Sequence, residues 1–188
     1  MTTIAPTLTT RLFPNVSAQV RDVLLVLAGS LLMALCAQIV IPLQPVPITG
    51  QTFGVLLIGA ALGSKRGAAA MLAYIVEGAL GLPFFAGGAS GFAILTGTTA
   101  GYLVGFVVAA YVIGLLAERG LERSMRTSLM PFFVGTVIIY VFGVSWLAIV
   151  LGDFGKALAL GLAPFVLGDV IKLAVAAIIL PLAWKVTR

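Results

Sequence analysis

The chain has 188 residues, of which 61% are hydrophobic and 9% charged, with a formal net charge of +5. A mean hydropathy of +1.20 excludes a soluble domain and predicts an all-α integral membrane protein, because so apolar a composition finds its natural surroundings only in lipid. At about 20 residues per span for a hydrocarbon core of roughly 30 Å, the length accommodates about six transmembrane helices joined by short loops.

Residues 1–22 are polar, are interrupted by Pro6 and Pro14, and read as a cytoplasmic arm. Residues 23–186 read as one six-helix transmembrane domain, with apolar runs at 23–41, 52–63, 67–82, 98–117, 130–151 and 163–184. Read instead as the apolar core of a cleaved signal, residues 23–35 would leave the charge alternation described below one segment short. Ser30 and Ala34 in the first run, and Gly97, Gly101 and Gly105 in the fourth, recur every four residues, a spacing that predicts close backbone contact within the chain or with a partner protein. Cys36, the single cysteine, sits in an apolar run and reads as a small packing residue. The second run is short and rich in glycine (Gly54, Gly59, Gly63), so it tilts, bends or spans only part of the bilayer.

The loops assign an orientation. Arg11, Arg21, Lys65, Arg66, Arg119, Arg123, Arg126, Lys185 and Arg188 fall on one side and only Lys156 in the opposite loops, which places both termini in the cytoplasm of a plasma or inner membrane. Anionic headgroups of the lipid bilayer suffice as partners for this basic face. No basic stripe interleaved with aromatics is present, so no nucleic acid is expected.

Catalysis is poorly provided for. With no histidine and one cysteine, a metal site and an imidazole-activated nucleophile lack their usual groups, and no enzyme is predicted. The segment Gly59–Lys65 misses the phosphate-loop pattern in both its glycine spacing and its Ser-Lys order. ATP hydrolysis, if it drives transport, belongs to another subunit.

Binding remains. Asp169 and Lys172 stand three residues apart within the last apolar run, a spacing that sets both side chains on one helix face with Cβ atoms about 5–6 Å apart. Charges at membrane depth usually face a protein interior or an aqueous cavity, and a purely structural ion pair there gains little for its desolvation. Glu77 is the other acid within a span, near its outer end. Two outer loops supply further material: residues 42–51 with three prolines and no charge, and residues 83–97, where aromatics alternate with glycines that admit close backbone approach and suit a pocket cap.

Four segments in order, Val46-Pro47-Ile48-Thr49-Gly50-Gln51-Thr52, Leu62-Gly63-Ser64-Lys65-Arg66-Gly67, Gly81-Leu82-Pro83-Phe84-Phe85-Ala86-Gly87-Gly88 and Gly168-Asp169-Val170-Ile171-Lys172, resemble the BioY family, the biotin-specific S component of energy-coupling factor (ECF) transporters. The resemblance implies a six-helix bundle that captures biotin from outside and topples in the bilayer to deliver it inward. It also implies a membrane coupling subunit and two ABC-type ATPases as partners, with the first helix docking the coupling subunit through Ser30 and Ala34. It implies no cofactor.

Biotin's ureido ring offers two N–H donors and a carbonyl, and its chain ends in a carboxylate. Asp169 is then expected to accept from a ureido N–H, and Lys172 to donate either to the ureido oxygen or to the carboxylate. Phe84, Phe85, Phe92, Tyr102, Tyr140 and Trp146 are candidates for apolar walls, with Gln51, Thr49 and Ser90 for neutral polar contacts and Glu77 as a further acid. An S component for another small vitamin, or a structural membrane subunit without a ligand, remains open on the residues alone.

Overall fold

The computed structural model describes residues 17–121 and 124–186, so the arm over residues 1–22 falls outside the described residues up to residue 16, as do Arg11, Arg123 and Arg188. The chain runs through α1 (Ala18–Gln38), β1 (Val40–Ile41), β2 (Ile48–Thr49), α2 (Gln51–Leu62), α3 (Ser64–Ala79), 3-10 turns at Ala86–Gly88 and Phe92–Leu95, α4 (Ala100–Ala117), α5 (Met125–Leu151), α6 (Phe154–Gly161) and α7 (Val166–Val186).

By length and composition, Gln19–Gln38, Ala100–Ala117 and Arg126–Leu151 are long and apolar enough to cross a membrane. The pair α6 and α7, bent by 51° at their break, passes the same test together. The chain is therefore an all-helical, multi-pass membrane protein. α2, with 12 residues, is about 18 Å long, a shorter apolar helix than these.

α6 departs from the expected outer loop around Lys156. The helix forms because Asp153 Oδ1 accepts from the Lys156 backbone N–H at 3.0 Å, capping a short apolar run. The proline-rich 42–51 stretch also holds more order than a stiff loop, since its Ile48 and Thr49 pair with the preceding Ile41 and Val40 as a two-stranded antiparallel ribbon.

α4 is the core helix: Ala109, Ala110 and Ile113 are fully buried. The glycine spacing expected to bring helices together does so at Gly101 and Gly105, where an added Cβ would lie 2.3 Å from Trp146 Cβ and 3.1 Å from Ile139 Cα of α5. Gly97 instead sits in the turn before α4. Gly114, further along α4, rests on the α2–α3 turn, where a Cβ would meet the Ser64 backbone nitrogen at 2.2 Å. The turn itself needs Gly63 at φ +85°, and Glu118 Oε1 caps α3 by accepting from the Ser64 N–H and Oγ, each at 2.8 Å.

The four-residue spacing of Ser30 and Ala34 falls on the side of α1 that packs within the chain. Ser30 is fully buried and Ala34 is 6% exposed, so their small side chains serve the chain's own packing rather than an outer surface. The outward row of α1 is Leu24, Leu27, Leu31 and Leu35.

Candidate functional site

The starts of α2, α4 and α7, the middle of α5 and both long loops converge on a hollow of about 240 Å³. The ribbon and the start of α2 bring Val46, Pro47, Thr49, Gln51 and Thr52; the 83–97 loop brings Phe85, Ala86, Ala89, Ala93, Ile94 and Gly97. Thr98, Thr99, Tyr102, Leu103 and Phe106 enter from α4 and the turn before it, Tyr140 from α5, and Phe165 and Lys172 from the α7 region. The walls are largely apolar, with polar groups gathered where α2 meets α7.

Those polar groups form one network. Lys172 Nζ donates to Asp169 Oδ1 at 2.8 Å, to the Thr49 carbonyl at 2.7 Å and to Thr52 Oγ1 at 2.9 Å. Thr52 Oγ1 donates in turn to Asp169 Oδ1 at 2.9 Å, and the Tyr140 hydroxyl donates to Asp169 Oδ2 at 2.5 Å. The i,i+3 spacing thus does make a salt bridge, at 5% side-chain exposure for the acid and 19% for the base. Alongside, Thr49 Oγ1 donates to Gln51 Oε1 at 2.9 Å and Gln51 Nε2 donates to the Tyr74 hydroxyl at 2.7 Å, which fixes the amide facing the hollow.

The candidate residues divide. Lys172, Gln51, Thr49, Phe85, Tyr102 and Tyr140 line the hollow. Asp169 is not on its wall but stands directly behind, reaching it through Lys172, Thr52 and Tyr140. Phe84 packs half-buried against the core, Ser90 is exposed and Phe92 is 70% exposed, so none of the three forms a wall. Trp146 is not a wall either: its Nε1 donates to the Gly97 carbonyl at 2.9 Å and pins the turn that opens α4. Glu77 also lies off the hollow; its Oε2 is buried without a hydrogen-bond partner among the described residues.

Thr52, Tyr74, Phe106 and Phe165 escaped the sequence reading. Thr52 carried a signal, as a hydroxyl one residue after Gln51 at the start of an apolar run; Phe106 and Phe165 look like any membrane-helix phenylalanine.

With this geometry in view, comparison with known proteins is decisive. The BioY family profile matches residues 9–188. The chain belongs to the BioY family. Among BioY relatives, the biotin transporter BioY of Thermotoga maritima is 46% identical over 148 residues, covering 79% of this chain and 86% of that protein. The probable biotin transporter BioY of Pyrococcus horikoshii is 43% identical over 85% of this chain and 93% of its own length. These BioY relatives are described as transporters, in line with the expectation that the chain is no enzyme. In fold, the chain is similar to a crystal structure of the S-component for biotin from an ECF-type ABC transporter, with a TM-score of 0.80 at 24% identity over 89% of this chain and 92% of that one.

Proposed function

We propose that this chain is the biotin-binding membrane component of an ECF-type vitamin uptake transporter, capturing biotin from outside and passing it inward with a membrane coupling subunit and two ABC-type ATPases. The observation that carries the reading is a lysine on the wall of a mostly apolar and aromatic hollow, ion-paired to an aspartate directly behind that wall. The pair matches a ligand with a polar ureido ring, an apolar sulfur ring and chain, and an anionic end. Relatives described as biotin transporters support the same ligand.

The hydrogen-bond inventory suggests how the pair meets biotin. A carboxylate has roughly four lone-pair positions; Asp169 uses one on Oδ2 and two on Oδ1. From behind the wall it thereby orients Thr52, Tyr140 and Lys172, the groups that face the ligand. Lys172 has three N–H donors, and each has a protein acceptor. A ligand oxygen enters by sharing or replacing one of these, most cheaply Thr52, whose hydroxyl keeps its bond to Asp169.

Access from outside follows from the charge pattern. α2 begins at the hollow and ends about 18 Å away beside Lys65 and Arg66. α4 likewise begins at the hollow and ends at Glu118 and Arg119. Arg66 Nε pairs with Asp22 at 2.8 Å, which sets the start of α1 at the same basic end. The basic end faces the cytoplasm of the plasma or inner membrane with both termini, α1 to α5 and the α6–α7 pair supply six crossings within one domain, and the hollow opens outward.

Calorimetry against a panel of small vitamins tests the proposal. Biotin alone is expected to bind and to raise the melting temperature by mass action. Binding of a different vitamin in its place, or no shift with any, would overturn it. Co-purification of an ATPase pair tests the coupling.

A further inference from the structure

Gln38 closes α1 at the end of the bundle where the hollow lies, and its side chain leaves its own helix. Nε2 lies 3.0 Å from the Ala34 carbonyl and 3.4 Å from the carbonyls of both Pro83 and Phe85. The segment it touches supplies Phe85, Ala86 and Ala89 to the hollow's wall.

Phe84 and Ala89 pack against the core, but among the described residues the segment has few other hydrogen bonds to the rest of the chain. Phe85 is anchored, its ring edge-on to Tyr74 at 5.6 Å and seated over Gly78, where a Cβ would meet the ring at 2.6 Å. The Gly91 N–H donates to the Gly78 carbonyl at 2.8 Å. Between these two points the backbone hydrogen bonds among the described residues are internal: Phe85 N–H to the Ala89 carbonyl, Gly88 N–H to Phe85 and Ala89 N–H to Ala86. Gly81, Gly87, Gly88 and Gly91 all take positive φ, so the segment has much backbone freedom to lose and depends on outside ties to stay in place.

We propose that Gln38 is a positioning residue for ligand retention: by bonding the carbonyls on either side of Phe84 it holds the 83–89 segment, and the wall it carries, against the hollow. The proposal rests on the reading of the hollow as the biotin site. Gln38 itself touches no ligand.

The test uses the full chain in lipid nanodiscs and two measurements. Without ligand, Gln38→Ala is expected to speed amide exchange at Phe85, Gly88 and Ala89 while the amides of α4 and α5 keep their rates. With biotin, the dissociation rate is expected to rise about three- to tenfold, the size of one or two modest hydrogen bonds, with association little changed. Gln38→Glu, which keeps the shape and loses the donor, should match Gln38→Ala; Gln38→Lys, which restores a donor, should recover the parent values. Unchanged exchange over 83–89, or a uniform rise throughout the chain, would overturn the role. If the parent chain fails to bind biotin, the reading of the hollow falls, and the exchange result still decides whether Gln38 ties the segment.

Discussion

The Tyr140 hydroxyl on α5 donates to Asp169 Oδ2 on α7 at 2.5 Å, across 29 residues of sequence. The Tyr140 ring also lines both the central hollow and a second, apolar groove of α5 and α6 bordered by Val141, Val144 and Leu158. One side chain therefore partitions the two spaces and steadies the buried carboxylate.

Tyr140→Phe keeps the partition and removes that bond. A hydrogen bond to a charged group contributes about 1.5–3 kcal/mol, so the variant should be less stable by that order and bind biotin roughly tenfold more weakly. Thermal unfolding and calorimetry in the same detergent check both numbers. Parent-like affinity would mean that Asp169 holds its orientation without Tyr140.

Lys172→Ala and Asp169→Asn should each abolish biotin binding, yet leave a chain that inserts and can be purified. Each also strands the other charge in a buried site, where breaking a pair costs about 3–5 kcal/mol, so both should melt well below the parent. Combining Asp169→Asn with Lys172→Met removes both charges and should recover much of the melting temperature without recovering binding. A double variant that still binds biotin would reduce the pair to a structural bridge.

How much of this was legible beforehand depends on where the signal resides. Asp169 and Lys172 stand out because ionised groups in an apolar run have few inexpensive explanations, and their i,i+3 spacing fixes their geometry locally. Lys172 on the wall, and the 83–97 loop around it, follow from that. Which aromatics face inward is not local information: Phe85 is 2% exposed and Phe92 70%, seven residues apart in a glycine-rich loop whose path is set by contacts with α3. Ser30 and Ala34 show the same limit, since a four-residue spacing of small side chains marks close packing without naming the partner. α6 was missed because a single carboxylate cap on an eight-residue helix leaves little periodic pattern to read.

The exposed row on α1 bears on the proposed coupling subunit. Leu24, Leu27, Leu31 and Leu35 present an apolar stripe, whereas Ser30 points into the chain. Leu27→Trp together with Leu31→Trp should lower the amount of coupling subunit that co-purifies, by roughly tenfold in affinity if misfit costs about 1–3 kcal/mol, while biotin binding stays unchanged. Ser30→Leu should instead destabilise the isolated chain. Full recovery of the complex with the tryptophan pair would move the docking surface off this face.

Gly143 sets the position of the Tyr102 wall. An added Cβ would lie 2.3 Å from Tyr102 Cδ1 and Cε1, and the ring is not free to retreat, because its hydroxyl donates to the Gly161 carbonyl at 2.7 Å and ties α4 to α6. Gly143→Ala should therefore push a cavity-lining ring toward the ligand. Overpacking of this kind costs about 1–3 kcal/mol, and both melting temperature and biotin affinity should fall. Adding Tyr102→Leu removes the ring that clashes and should restore part of the stability but not the affinity, since the aromatic wall is then missing. If Gly143→Ala alone matches the parent in both measurements, the Tyr102 ring can shift without consequence and is not a wall the ligand depends on.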